Sequence, residues 1–130
     1  MIERRLLQLA VAVASLVPLS VGGWSILYGP HFLGRAVVIP TDLDSHFRYL
    51  SGIFIAVGLA FVTCVPNIER KGPRFRLLGA LIVCGGLARL VSLLTVGVPG
   101  AGHIFGLGME LGVVPLLVLW QARVERMYRP

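Results

Sequence analysis

The stretch that decides the fold is residues 85–94, GGLARLVSLL, an apolar run with an arginine, Arg89, inside it. The apolar character extends over residues 75–96, which is long enough for a helix that crosses a lipid bilayer. A charged side chain at the centre of a bilayer costs about 2.5–3.5 kcal/mol on insertion scales. Arg89 therefore needs either a partner or a function.

The composition of the whole chain is typical of a membrane protein. Of its 130 residues, 56% are hydrophobic and 14% are charged, and the mean hydropathy is +0.85. Soluble domains carry about 25% charged residues. Sixteen glycines fit a set of closely packed membrane helices. We therefore expect one all-α membrane domain over residues 1–130.

Four apolar windows of about twenty residues are separated by segments rich in proline and glycine. The windows cover residues 6–28, 47–65, 75–96 and 103–121. Short connections between consecutive helices favour antiparallel neighbours, so we predict an antiparallel four-helix transmembrane bundle with the lipid bilayer around it.

The basic residues predict the orientation of that bundle. Nine of the twelve lie before the first window, between the second and third, or after the fourth, and all three segments are on one side of a four-span topology. The positive-inside rule places this side in the cytoplasm, with both termini, in a bacterial inner membrane. Because the arginines flank apolar runs and do not alternate with exposed aromatic residues, we expect no nucleic-acid partner.

The N-terminal segment has one competing interpretation, a secretory signal peptide, because Arg4 and Arg5 precede an apolar run that contains Ala12-Val13-Ala14. Cleavage there would leave a short apolar core, whereas the run continues to Tyr28. We therefore expect the segment to be a retained span.

The connection over residues 29–45 is the longest on the outer side. Its residues 36–39 are expected to lie against the membrane surface or the bundle, and His31 is expected to be solvated. The segment 41–44, Thr-Asp-Leu-Asp, is predicted to cap the second helix, since side-chain acceptors and negative charge suit a helix N-terminus.

Two charges inside the third and fourth windows are predicted to lie at the same depth. At 1.5 Å per residue, Arg89 is about 9 Å below the outer end of its helix and Glu110 about 10 Å below the outer end of the next. Since these helices are consecutive, an ion pair between them is expected. Glycines on the same helix faces, Gly86 and Gly106 among them, leave room for a neighbouring helix, a water or a ligand.

Further polar residues are predicted at the same outer end. Arg48 begins the second helix, and Asp42 or Asp44 is its expected partner if its role is structural. His46 and His103 lie near helix starts, where a cap or surface role is expected. Our candidate ligand-binding residues are Arg48, Arg89, Glu110, His103, Ser92 and Tyr49.

Three interpretations of Arg48, Arg89 and Glu110 stay open. The charges could form structural pairs that set the helix register. They could form a pocket open to the outer side, whose net positive charge would favour a carboxylate, a phosphate or a lipid headgroup. They could also form a path for protons or ions.

Several other chemistries have no support in the sequence. We predict no metal site, because His46, His103 and Glu110 make a weak ligand set and no HExxH motif is present. Cys64 and Cys84 differ by about 10 Å in predicted depth, beyond disulfide reach, so both are expected to be small buried apolar residues. No P-loop, GxGxxG, GxSxG or CxxC motif occurs, and no cofactor can be named.

One family resemblance involves these same residues. The segments 47–52, FRYLSG, and 86–92, GLARLVS, followed by Gly97, Pro99, His103 and Glu110, resemble a family of small four-helix bacterial membrane proteins, domain of unknown function family 4345. The family is distantly similar to DoxX-like four-helix bundles, some of which are linked to quinone or thiol redox systems. The resemblance implies a multi-pass inner-membrane protein and no particular activity, and this chain lacks a cysteine pair for thiol chemistry.

The function expected from these features is binding by a membrane protein that is not an enzyme. Arg89 and Arg48 would hold a small anion or a lipid headgroup in an outer-half pocket, and Glu110 would orient Arg89. The alternative is an accessory subunit that packs on a larger membrane complex, or a homo-oligomer, through its small-residue faces. A quinone-linked membrane enzyme is the third possibility.

Overall fold

The computed structural model describes residues 1–33 and 38–130, which form helices joined by short non-helical connections. Five α-helices follow one another: α1 (Ile2–Tyr28), α2 (Thr41–Val62), α3 (Gly72–Thr95), α4 (Ala101–Gly108) and α5 (Val114–Met127). Short 3-10 helices cover Gly29–Leu33 and Ile68–Arg70, and a π-helical segment, Met109–Val113, joins α4 to α5.

Four helical stretches are long and apolar enough to cross a membrane: Ile2–His31, Thr41–Val62, Gly72–Thr95 and Ala101–Met127. These stretches contain the four predicted windows almost completely. Only 6% to 28% of the most apolar part of each stretch is buried inside the protein. Most of the apolar side chains therefore face outward, as lipid-facing helices require.

The helices extend beyond the predicted windows because hydropathy detects where apolar residues stop, not where a helix ends. The prediction that residues 41–44 cap the second helix is wrong, since they form its first turn. The residue before that turn is Pro40, and no side chain caps it. Pro73, from one of the segments rich in proline and glycine that separate the windows, is in the first turn of α3, where the missing N–H of proline has no helical partner to lose.

Residues 9–65 form one compact unit, which contains most of α1 and all of α2. Small residues let these two helices approach closely. A Cβ atom on Gly58 would lie 2.9 Å from Pro18 Cγ, and one on Gly22 would lie 2.6 Å from Ile55 Cγ1. Between these two contacts the chain moves forward along α1, from Pro18 to Gly22, and backward along α2, from Gly58 to Ile55, so the two helices run antiparallel.

Arg48 fastens the start of α2 to the end of α1. It donates two hydrogen bonds to Asp44, from Nε at 2.8 Å and from Nη2 at 3.3 Å, and Nη1 donates to the backbone carbonyl of Ile26. The prediction that Asp42 or Asp44 holds Arg48 is thus confirmed for Asp44. The Ile26 carbonyl is in the last turn of α1, where carbonyl groups lack helical partners.

Gly29→Ala should destabilise this hairpin by about 1–3 kcal/mol, because the residue has a left-handed backbone and no room for a side chain. Its φ is +61°, and a Cβ atom would lie 2.6 Å from Asp44 Oδ1 and 2.7 Å from Arg48 Nη2. Gly23→Ala is the matched control, since no atom lies within 4 Å of a Cβ there. Thermal unfolding in detergent measures both variants, and equal midpoints would contradict the expectation.

The second compact unit contains Met1–Gln8 and Pro66–Pro130. Its most deeply buried side chains include Leu7, Ile68, Phe75 and Val124. The buried amide of Gln121 donates from Nε2 to the carbonyl of Ile68 at 3.0 Å, which ties α5 to the turn before α3. The prediction of a single domain over residues 1–130 stays a prediction.

The outer connection is described only in part. His31 is exposed within the 3-10 helix Gly29–Leu33. The predicted surface segment 36–39 falls partly on residues 34–37, which lie outside the described residues, as does Arg35. The connection over residues 96–100 is non-helical, as its Gly and Pro residues predict.

Candidate functional site

Arg89 and Glu110 form a two-pronged ion pair between α3 and the π-helical segment. Arg89 Nε donates to Glu110 Oε2 at 3.0 Å, and Nη2 donates to Oε1 at 3.1 Å. The Glu110 side chain is 11% exposed and that of Arg89 is 35% exposed. The predicted pair is thus confirmed, and the parallel arrangement of its two bonds is the stronger form of an arginine–carboxylate contact.

Two glycines on the facing helices allow this geometry. A Cβ atom on Gly86 would lie 2.8 Å from Glu110 Cβ and from Leu111 Cδ2, so α3 approaches the π-helical segment at a position that accepts no side chain. A Cβ atom on Gly106 would lie 3.7 Å from Arg89 Cζ, in ordinary contact with the guanidinium. The π-helical segment therefore fills the space beside Gly86. Of the occupants predicted for that space, a neighbouring helix, a water or a ligand, the structure shows the helix.

Glu110 belongs to a π-helical turn, Met109–Val113, inside the fourth membrane-length stretch. Such widened turns are rare and often occur at functional sites. Sequence reasoning missed this turn. Pro115, at the start of α5, was the available signal, because proline removes a backbone N–H and so favours an irregular turn before it.

His103 is the third member of the cluster. Its Nδ1 lies 2.9 Å from Arg89 Nη1. A guanidinium can only donate hydrogen bonds, so Nδ1 must accept, and the imidazole is neutral with its proton on Nε2. The predicted cap or surface role of His103 is wrong, since its side chain is half-buried and bonded to Arg89. We call Arg89, Glu110 and His103 the arginine cluster.

The other candidate residues stand apart from these contacts. Ser92 is on α3 and exposed, and Tyr49 is on α2 with 65% of its surface exposed. Neither side chain has a hydrogen-bond partner among the residues that the structure describes. His46 is exposed on α2. Arg48 uses its three nitrogens in the hairpin contacts described above, which supports the structural interpretation for that residue.

The described parts of the chain contain neither a group of side chains placed to bind a metal ion nor a disulfide. Within residues 1–33 and 38–130 no group of three His, Cys, Asp or Glu side chains is placed to hold a metal ion. Neither Cys64 nor Cys84 is in a disulfide. Cys64 is buried as predicted, but Cys84 is exposed, because it lies on the outward side of α3 next to Gly85, which also has open space around it.

In the arginine cluster, Glu110 and His103 hold the guanidinium of Arg89 in place. Some N–H groups of this guanidinium remain without an acceptor side chain among the described residues. Arg89 has five N–H groups, and side chains of the described region accept three of them. One N–H remains on each terminal nitrogen. Because the carboxylate of Glu110 neutralises the guanidinium and His103 is neutral, the cluster carries no net charge and can remain inside an apolar protein.

The comparisons with known proteins give one match. The model of the family described as "Domain of unknown function (DUF4345)" matches residues 6–121. No curated protein and no solved structure matches the chain.

Proposed function

This chain belongs to the DUF4345 family, and from that premise and the geometry of the arginine cluster we propose that it is an integral membrane protein that binds an oxyanion at Arg89. The oxyanion is a small anionic ligand or a lipid headgroup, and phosphate is the chemistry that both share. The protein is an antiparallel four-helix bundle in a bacterial inner membrane, with both termini in the cytoplasm.

The membrane location is supported by four stretches of sufficient length and by their exposed apolar faces. Large apolar side chains are exposed along them, with exposures of 61% at Leu16, 53% at Leu59, 52% at Leu87 and 66% at Leu116. A soluble protein would rarely leave so much apolar surface in contact with water. The orientation rests on the distribution of the twelve basic residues.

The observation that carries the binding proposal is the pair of unused N–H groups on Arg89. They belong to the guanidinium of a side chain that is 35% exposed, and Glu110 and His103 fix this group through its other N–H bonds. Exposed apolar residues lie on the same helices, with Val91 of α3 59% and Phe105 of α4 58% exposed. A guanidinium that is already fixed is suited to binding a phosphate, because little side-chain entropy is lost on binding.

Arg89→Gln should lower the affinity for anionic phosphate about tenfold, since a charge-assisted hydrogen bond is lost. Native mass spectrometry of the detergent-purified protein measures the retention of phosphatidylglycerol, and titration with inorganic phosphate tests the free anion. Arg123→Gln is the matched control, because Arg123 forms an equally two-pronged pair with Glu3 at 3.1 and 3.0 Å on an exposed surface. Undiminished binding by Arg89→Gln would refute the proposal.

The orientation has an independent test. A reporter fused into the connection near Glu69 should show a cytoplasmic location, because four basic residues, Arg70, Lys71, Arg74 and Arg76, lie there. A second reporter after Gly97 should show the outer location. If the first reporter proved to be periplasmic, both the topology and the outer position of the arginine cluster would be wrong.

A further inference from the structure

The three side chains of the arginine cluster carry no net charge between them. The charges of Arg89 and Glu110 cancel, and His103 is neutral because its Nδ1 accepts a hydrogen bond from Arg89 Nη1 at 2.9 Å. An oxyanion bound at Arg89 adds negative charge that none of these three side chains balances. Unbalanced charge is costly wherever apolar protein or lipid replaces water. Oxyanion binding therefore calls for a compensating positive charge, which one of these side chains can supply by taking up a proton.

Of the two side chains that can take up this proton, His103 loses less by doing so. Protonation of Glu110 would break up a two-pronged ion pair with bonds of 3.0 and 3.1 Å. Protonation of His103 breaks only its single bond with Arg89. Histidine is also the side chain that ordinarily changes charge between about pH 5 and 8. Because His103 is only half-buried, part of its surface is open to protons from outside, and it is the proton acceptor of the cluster.

The charges that act on His103 come from two elements packed against α4, which are α3 and the π-helical segment. Arg89 contacts the imidazole directly and opposes its protonation, whereas Glu110 is paired with Arg89 and favours it. Within Ala101–Gly108, which is α4 itself, no other side chain is ionisable. An anion next to Arg89 therefore favours the imidazolium over the neutral imidazole. The remaining ionisable side chains of α3 precede Arg89 by five or more residues: Arg74, Arg76 and Cys84.

Protonation of His103 enlarges the set of donors at the cluster. The proton adds to Nδ1, which then can no longer accept, so the hydrogen bond from Arg89 Nη1 is lost. Three N–H groups of Arg89 are then without an acceptor among the described side chains, and the imidazolium contributes two N–H donors of its own. Two cations in contact repel each other, so an anion that accepts hydrogen bonds from both stabilises this state.

We propose that the arginine cluster binds a singly charged oxyanion together with one proton, which His103 takes up. This inference rests on the oxyanion binding at Arg89 proposed above. The charges of Arg89, protonated His103, Glu110 and a monoanion sum to zero, whereas a dianion such as sulfate leaves one negative charge unbalanced. A phosphodiester carries a single charge, and anionic lipids such as phosphatidylglycerol share this group with soluble diesters. Charge balance therefore favours a phosphodiester as the ligand.

The affinity for a phosphodiester at two pH values tests this inference. Dimethyl phosphate is the soluble probe and phosphatidylglycerol with labelled acyl chains is the lipid probe. Neither probe has a second ionisation, whereas a phosphate monoester loses its second proton near pH 6. Binding should be about tenfold tighter at about pH 5.5 than at about pH 7.5, since the proton strengthens anion binding by the same factor as the anion strengthens proton binding.

His103→Asn should remove this pH dependence, because the amide oxygen can accept from Arg89 in place of Nδ1 but cannot take up a proton near neutral pH. His46→Asn is the matched control and should retain it, since His46 is an exposed histidine of α2 with no contact to the cluster among the described residues. The unfolding temperature of both variants is checked in detergent. Binding of the lipid probe alone would assign the site to a lipid, and binding of both probes to the headgroup.

A count of protons gives a measurement that does not depend on any variant. Calorimetric titration of the parent protein at about pH 7.5, in two buffers with different ionisation enthalpies, should show proton uptake approaching one per bound phosphodiester. Binding without proton uptake would overturn the proposal, as would equal affinity at the two pH values or an unchanged pH dependence in His103→Asn. Binding that Arg89→Gln abolishes but that does not depend on pH would reject this inference and leave the oxyanion proposal standing. Undiminished binding by Arg89→Gln would reject both.

Discussion

Glu110→Leu alone should destabilise the protein by about 3 kcal/mol, near the lower end of the range for breaking a buried ion pair because Arg89 is partly exposed. The substitution leaves the guanidinium in an apolar environment with only His103 as a partner. The double variant Arg89→Leu with Glu110→Leu removes both charges, so its stability should be within about 1 kcal/mol of the parent protein. Thermal unfolding in detergent measures both changes.

Glu3→Leu is the control for the ion-pair experiment. It removes a carboxylate from a two-pronged pair with Arg123, whose side chain is 65% exposed, so it should cost less than about 1 kcal/mol. A double variant as unstable as Glu110→Leu would show that the pair itself stabilises the fold. A stable double variant that no longer binds phosphate would assign the pair to the binding site.

Gly86→Val should destabilise the protein by about 1–3 kcal/mol, the usual cost of overpacking a closely fitted interface. Its Cβ atom would lie 2.8 Å from atoms of Glu110 and Leu111, so α3 must move away from the π-helical segment. That movement also lengthens the contact between Arg89 and Glu110. The variant should therefore lose both stability and oxyanion binding, as measured by thermal unfolding and lipid retention.

Gly85→Val is the matched control, because the neighbouring glycine has no atom within 4 Å of a Cβ position. The two substitutions change helix propensity and hydrophobicity equally. Adding Leu111→Ala to Gly86→Val should recover part of the stability, since it removes the Leu111 atoms that the valine meets and leaves only the contact with Glu110 Cβ. Equal midpoints for the Gly85 and Gly86 variants would contradict the close contact described here.

Hydropathy predicted the membrane-length helices well and their ends poorly. The fourth window stops at Gln121, yet α5 continues to Met127. The residues beyond the window include Arg123, Glu125 and Arg126, which are polar but form helices readily. Likewise α2 begins at Thr41, six residues before its window, because the acidic residues of its first turn favour a helix start.

The part of the arginine cluster that could be predicted from the sequence is the part that depends only on how deep each residue lies along its helix. Equal depth on consecutive helices was enough to predict that Arg89 and Glu110 meet. Depth alone could not predict that His103 takes the third nitrogen of Arg89, because that bond depends on the rotation of α4 before the π-helical segment. The ion pair between Arg4 and Glu69 was also beyond prediction, since it depends on how the chain turns before α3.

The ion pairs of the first helical turn have a consequence for the order in which the chain assembles. Glu3 bonds Arg123, which follows it by 120 positions, and Arg4 contacts Glu69. The hairpin of α1 and α2, with Arg48 joining their adjacent ends, needs only residues up to about Val65 and can close while the ribosome is still translating α3. The N-terminal turn, however, must wait for nearly the last residues to be synthesised, so the first residues made are among the last to find their partners.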